Sequence, residues 1–467
     1  MSRKIKTILI ALGVIVLLGG GYYGSTIYKK KKAEAASAAN PPSIKIGNLD
    51  SAKVVKIEAG GLVLEKKGDT WVLDSYNGAP PPDWAQLDQG SINSLTYSLG
   101  TIYVERMVDD TPGDLSVYGL DKPSQRAVVT DSDGKTAAYL VGNMTPSKSS
   151  YYVIQEGDPK VYSVSSYTAE GMMLTLDKIR NKTLLPAFET PTLTRFRIES
   201  QDTHIDISVK PQNTLPYLAS SFSTFVLTSP YKIPRGVDSQ TIEQVIAPLK
   251  NLAISDFIDD SPSSLAPYGL DKPVGIFLAA KDANGNDISI DLLVGSQAGG
   301  KNYAKLRNAD GVFTLSGLDP VLTTKPFALV DKFPLLINIE TVDTMTVTGG
   351  DEDLTATIKG KGDDAVYSVN GKKAEEKSFK AFYQAVIGLL MDSEYKGPAT
   401  TPPEDAGKNI TITFQLNSPA GAQATITLLP QDRDYYVLRQ EGTTEFMIAR
   451  TQVSKIYKSF DELVYSK

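Results

Sequence analysis

The stretch Asp109-Asp110-Thr111-Pro112-Gly113-Asp114-Leu115-Ser116-Val117-Tyr118-Gly119-Leu120-Asp121-Lys122-Pro123 returns 150 positions later as Asp259-Asp260-Ser261-Pro262-Ser263-Ser264-Leu265-Ala266-Pro267-Tyr268-Gly269-Leu270-Asp271-Lys272-Pro273, with ten of fifteen positions identical. A repeat this specific sets the architecture before any single element is considered. Each copy reads as a short helix with both ends specified. Thr111 or Ser261 is placed to cap the N-terminus, and Pro112 or Pro262 takes the first helical position, where no N–H is needed. Gly119 or Gly269 suits a left-handed residue, and a Schellman ending then brings Leu120 onto Leu115 and Leu270 onto Leu265. Pro123 and Pro273 bar continuation of the helix. The acids and the lysine have no such role, so a ligand site formed by Asp121-Lys122, Asp271-Lys272 and the upstream Asp pairs is the alternative. A capped turn accounts for more of the shared letters.

Outward from the turn, residues 125–130 and 135–141 read as a hairpin through Asp133-Gly134, residues 151–155 and 160–164 as a second pair, and residues 167–176 as a closing helix. Upstream, residues 54–57, 61–64 and 70–73 are short strands. Residues 91–104 place Ile92, Leu95, Leu99 and Ile102 at helical spacing. The second unit repeats this order, with a helix at 241–254, a hairpin at Asn284-Gly285, and Val294-Gly295 answering Val141-Gly142. A third, divergent copy has a strand at 366–369, a helix at 378–391 and a degenerate turn at 401–407; its Tyr435-Tyr436-Val437 matches Tyr151-Tyr152-Val153. The expected fold class is α+β: an N-terminal transmembrane helix, then tandem repeats of mainly antiparallel sheet with one or two helices each. The expected divisions are a basic-flanked anchor (1–32), a linker (33–51), and repeat domains at 52–188, 189–338 and 339–467. Regular structure is expected to begin near Ala52.

Leu-x-x-Tyr-Gly-Leu-Asp-Lys-Pro, followed by a hairpin, a Val-Gly and a Tyr-Tyr-Val strand, resembles the bacterial domain-of-unknown-function 4340 family. The likeness covers most of the chain after the N-terminal segment. It implies a membrane-anchored envelope protein, often encoded near ABC-transporter components of the gliding-motility type, and it carries over no catalytic residue.

Composition narrows the function classes. The chain of 467 residues has no cysteine, which removes disulfides, thiolate chemistry and a lipoprotein-type anchor. Residues 1–32 hold seven basic residues and no acid, leaving 41 basic and 54 acidic residues for the remainder, a balance of −13. That argues against a nucleic-acid partner. Residues 7–28 carry no charge and are long enough to cross a bilayer, with Arg3, Lys4 and Lys6 before them and Lys29 to Lys32 after. A cleaved signal peptide is the rival, with Ala36-Ser37-Ala38 as its cleavage site. That site lies far past the apolar run, so an uncleaved signal-anchor is favoured. Basic residues flank both sides; the short N-terminal tail and the signal-like start place the body outside the cell membrane. Gly20 and Gly24 have a helix-packing spacing that so glycine-rich a run produces by chance.

Three stretches imitate reactive sites. His204, the only histidine, shares a strand face with Asp206 and Ser208, but residues two apart on a strand are about 6–7 Å apart, too far for a hydrolytic triad. Gly295-Ser296-Gln297-Ala298-Gly299-Gly300-Lys301-Asn302 resembles a phosphate-binding loop, yet Asn302 stands where Ser or Thr should hold magnesium and a strand follows, not a helix. Asp282-Ala283-Asn284-Gly285-Asn286-Asp287 is rich in oxygen ligands, but its glycine falls at the fourth place and no glutamate closes a twelve-residue calcium loop. No catalytic, cofactor-binding or metal residue is assigned, and no cofactor is expected. Tyr151, Tyr303 and Tyr435 are expected to recur at equivalent strand positions as core or sheet-face residues. The expected function is a non-enzymatic, membrane-anchored accessory or scaffold protein. Its expected partners are the lipid bilayer, through residues 7–28, and ABC-transporter permease components. The alternatives are an envelope glycan- or peptide-binding module and a carboxylate-dependent hydrolase.

Overall fold

A computed structural model of the chain describes residues 44–81, 86–212, 215–219, 222–397, 407–417 and 422–465. The anchor at 1–32, the linker up to residue 43 and nearly all of the turn at 401–407 lie outside the described residues. Among the described residues, no helix is long and apolar enough to cross a membrane.

The fold is mainly antiparallel sheet. In the first large sheet, Val54–Ala59, Leu62–Lys67 and Thr70–Tyr76 make one meander, and Gln125–Asp131, Thr136–Met144, Ser150–Gln155 and Val161–Ser165 make another. The meanders join where Val54–Ala59 pairs with Gln125–Asp131, and Arg106–Asp109 closes the far edge against Val161–Ser165. Alternation along the strands sends Ala127, Val129, Ala137, Tyr139 and Val141 to one buried face, which the helices cover. Two further sheets follow the same order. Arg195–Glu199 joins Val274–Lys281 in the second, with Phe257–Asp259 at the edge; Val342–Thr348 joins Ile410–Leu416 in the third, with Ser393–Glu394 at the edge.

Each copy also starts its helix in the same way. Leu87, Val237 and Ala374 bridge to Arg180, Val330 and Tyr465. The next residue in each copy (Asp88, Asp238 or Glu375) donates its N–H to the carbonyl of Ile179, Leu329 or Val464 at 2.8–2.9 Å. Asp88 then caps the helix Gln89–Gly100 by accepting from Gly90 and Ser91, and Asp238 caps Ser239–Ile246 by accepting from Thr241. Glu375 makes no such side-chain bond to the helix Glu376–Ile387.

The chain separates into two compact units, one ending at Asn181 and the other running from Lys182. The first holds the first large sheet and its own core. The second holds the other two large sheets around one continuous core that runs from Leu185 to Leu463. The second and third copies therefore do not have separate cores.

Several local expectations need correction. Regular structure begins before Ala52, because Ile44–Ile46, inside the expected linker, pairs with Ile102–Val104 as a two-stranded ladder. The helix expected over 91–104 stops at Gly100, since Ile102-Tyr103-Val104 is β-branched and aromatic and finds that partner. The helix expected over 241–254 gives way after Ile246 to a 3-10 turn carrying Pro248, and the one expected over 378–391 ends at Ile387 before Gly388. The closing helix expected over 167–176 is instead Ser166–Met172 followed by Leu176–Ile179. The repeated turn is also shorter than expected. Leu115–Tyr118 and Ala266–Tyr268 are single 3-10 turns, so Thr111, Pro112, Ser261 and Pro262 precede the helix rather than begin it. Asp114 is the N-cap of the first, accepting from the Ser116 N–H.

Candidate functional site

Both copies of the repeated turn are closed on themselves. Gly119 and Gly269 are left-handed, at φ 68° and 66°. Leu120 N–H reaches Leu115 O and Gly119 N–H reaches Ser116 O, with the same pair of bonds from Leu270 to Leu265 and from Gly269 to Ala266. This is the Schellman pattern. Leu120 is buried with Ile154 and Val161, and Leu115 packs against them.

The first acid of the motif has a structural role that the sequence did not reveal. Asp109 Oδ1 accepts from Thr111 N–H while its Oδ2 accepts from the Tyr118 hydroxyl at 2.8 Å. Asp259 does the same with Ser261 N–H and the Tyr268 hydroxyl, the latter at 3.1 Å. The bond to Asp109, with some burial, raises the Tyr118 pKa; for Tyr268 burial comes first and the bond to Asp259 second. The two rings then meet the next hairpin edge-on, Tyr118 on Tyr152 at 5.1 Å and Tyr268 on Tyr303 at 5.2 Å. Tyr303 thus answers Tyr152 rather than Tyr151. The ladder register agrees, since Val141 faces Val153 and Val294 faces Ala304. Asp121, Lys122, Asp271 and Lys272 are all exposed.

The imitations of reactive sites are accounted for by turns and strand faces. His204 begins its strand exposed and opposite Glu199, and Asp206 is held by Arg195 at 2.7 Å. Lys301–Leu306 is a strand, with Gly299 and Gly300 turning its hairpin at positive φ. Asp282 accepts from Asn284 N–H and from both the backbone and side-chain amides of Asn286, which holds its carboxyl below the usual range. Among the described residues no three His, Cys, Asp or Glu side chains are grouped to hold a metal.

Three other places gather polar or aromatic side chains. The first is buried, where the second and third sheets share their core. Arg235, 3% exposed, donates to Glu445 Oε2 at 3.0 Å and to Gln440 Oε1, and its guanidinium lies 4.7 Å from the Phe446 ring centre. Burial lowers its pKa and Glu445 opposes that shift. Tyr231 donates to Glu394 at 2.8 Å, and Gln440 donates to Pro334 O. The two charges are paired with each other, with only Arg235 Nε left without a hydrogen-bond partner among the described residues, and a void of about 10 Å³ remains, so this is a joint and not a binding site.

The second is a polar cleft of about 730 Å³ on the third sheet, lined by Gly350, Lys408, Tyr436, Arg450, Tyr457 and Asp461 among others. Arg450 lies 4.4 Å over the Tyr436 ring, and burial pushes the Tyr457 hydroxyl up to about 12. A Cβ on Gly350 would run into that hydroxyl, so any side chain there requires Tyr457 to move. Side chains of both signs, Lys408 and Arg450 against Asp351 and Asp461, share its walls, so the cleft suits a polar ligand without selecting an anion or a cation.

The third is a groove of about 590 Å³ in the first unit, lined by Tyr97, Tyr103 and Tyr167 together with Ser94, Ser98, Thr101 and the buried Ile102. The sequence held a clue to it. Ile92 and Leu99 put one side of the helix Gln89–Gly100 into the core, so Tyr97, between Ser94 and Ser98, must face outward with them. Tyr103 and Tyr167 come from other elements, and no spacing in the sequence linked them to Tyr97.

A family model described as a domain of unknown function (DUF4340) matches residues 71–273 and again residues 226–407. Together the matches take in 337 of the chain's 467 residues, from 71 to 407. No curated protein and no solved structure matches the chain.

Proposed function

The chain belongs to the DUF4340 family and carries that family's domain as a repeat, and from this premise we propose that it is a non-enzymatic scaffold of the bacterial envelope. Residues 7–28 anchor it in the cell membrane as a single-pass segment, the repeats lie on the extracytoplasmic side, and ABC-type permease components are its partners. One observation carries the reading. In both copies the Asp and Tyr of the shared motif are spent on each other, Asp109 on Tyr118 and Asp259 on Tyr268. The recurring Asp–Tyr pairs therefore support a turn geometry, whereas a duplicated enzyme would be expected to repeat a reactive set. The joined core of the second and third sheets also suits a part that transmits position or force between partners.

The test is purification of the full-length chain from its native membrane in mild detergent, with a screen of the product against cell-wall glycan and peptide substrates. Stoichiometric co-purification of permease subunits without turnover is the expected result. Turnover of a cell-wall substrate, abolished by one substitution that leaves the protein folded, overturns the reading.

A further inference from the structure

The tyrosine-bordered groove is not used by the scaffold reading, and the exposure of its rings is costly. Tyr167 is 88% exposed, Tyr97 72% and Tyr103 56%. Burying a large side chain is worth about 1.5–3 kcal/mol, so three such rings around one groove mark a surface that is covered in use. Their position in the chain indicates by what. Tyr103 lies in the ladder with Ile44–Ile46, directly opposite Lys45, whose ammonium stands 4.9 Å from the ring centre. Ile44, itself 42% exposed, is where the described chain begins, and only the fifteen residues 29–43 separate it from the uncharged stretch 7–28.

Resting on the anchor reading above, we infer that this face sits at the headgroup level of the same bilayer, with Tyr97, Tyr103 and Tyr167 as interfacial rings. Tyrosine is suited to that depth, since its ring is apolar and its hydroxyl stays hydrated. The hydroxyls of Ser94 and Ser98 donate to the helix carbonyls of Gly90 and Ser94, which leaves their lone pairs to accept from hydrated headgroups. Because the chain enters the unit through the ladder that carries Tyr103, contact with the bilayer is intramolecular. A face too weak to bind lipid from solution is then occupied through effective concentration alone. Lys45 and Glu170 put one charge of each sign beside the rings, so the contact depends little on salt.

The absence of cysteine makes a clean test possible. The full-length chain carrying Ser98→Cys is spin-labelled and reconstituted in vesicles of phosphatidylethanolamine and phosphatidylglycerol, with Asp121→Cys in the motif turn as reference. The label at position 98 is expected to be several-fold less accessible to an aqueous nickel chelate than the reference, at low and high salt alike. Adding Tyr97→Ser, Tyr103→Ser and Tyr167→Ser removes the difference; Tyr167→Ser alone, the most exposed, reduces it. Carbonate extraction separates the two ideas. If the protein stays in the vesicles and the label at 98 is as accessible as the reference, this inference is wrong and the anchor stands. If carbonate strips the protein, the anchor itself is wrong. Protection that appears only when soluble peptidoglycan glycan is added makes the groove a sugar site and also overturns the inference.

Discussion

The Tyr118 carbonyl oxygen stands 2.2 Å from where a Cβ on Gly142 would lie, and the Tyr268 carbonyl oxygen 2.1 Å from where one on Gly295 would lie. The Val-Gly that follows each motif, 23 residues after Gly119 and 26 after Gly269, is therefore the seat on which the turn rests. Gly142→Ala and Gly295→Ala each force a backbone carbonyl to move. Each is expected to cost about 1–3 kcal/mol, read as a lower denaturant midpoint, the first in the unit ending at Asn181 and the second in the unit that follows.

Replacing Tyr118 by Phe removes the hydroxyl that Asp109 accepts while keeping the ring on Tyr152. Stability of the first unit is expected to fall, and Asp109→Asn/Tyr118→Phe to fall by less than the sum of the single variants, because the pair is one interaction. Additivity in a double-mutant cycle would count against the clasp.

Tyr139 behaves in the opposite sense. Its ring is fully buried, Gly47 packs over its oxygen, and the hydroxyl has no hydrogen-bond partner among the described residues. A buried hydroxyl without a partner is a cost. Tyr139→Phe is expected to be neutral or stabilising by about 1 kcal/mol, measured by thermal or denaturant unfolding.

In the second unit, Glu445→Gln leaves the Arg235 guanidinium buried without its counter-charge. Removing one member of a buried pair costs about 3–5 kcal/mol. Replacing both, as Arg235→Met with Glu445→Leu, is expected to recover most of that loss. The shared core gives a second readout: the second and third sheets should unfold in one calorimetric transition, which splits into two if they are energetically independent.

Alkaline pH tests the buried tyrosines. Burial pushes the Tyr217 hydroxyl up to about 12 and raises those of Tyr231 and Tyr383, against about 10 in an unfolded chain. A folded pKa above the unfolded one gives stability that is complete below about pH 10 and is lost as pH climbs through the folded value. Tyrosinate absorbance is expected to show late-ionising groups that titrate together with loss of the fold. Ionisation of all tyrosines near pH 10 in the folded chain would contradict this.

Much of the repeat was written in local chemistry. Left-handed glycines at Gly119 and Gly269, the hairpins at Asp133-Gly134 and Asn284-Gly285, and the alternating strands each follow from a few adjacent residues, and the structure places them as the sequence implied. Local pattern misled where two periods met. Ile102 extends the helical spacing of Ile92, Leu95 and Leu99, yet it is a strand residue because Ile44–Ile46 is there to pair with it. The extra length assigned to the motif helix had a similar cause, since Thr111 and Pro112 fit a helix start without showing that Asp114 does the capping.

By itself, the sequence determined that a unit was duplicated, where its turns fall, that no thiol chemistry is possible, and that an uncharged stretch precedes an acidic body. Those properties depend on residue identity and near neighbours. Only the tertiary structure decided that Asp109 closes on Tyr118, that Arg235 is buried against Glu445 more than two hundred residues away, and that Tyr97, Tyr103 and Tyr167 share a groove. Arg235 and Glu445 are 210 residues apart, and even Asp109 and Tyr118, nine apart, meet only because the turn folds back on itself; such proximity is set by how turns close, strands pair and helices pack, which no spacing along the chain encodes.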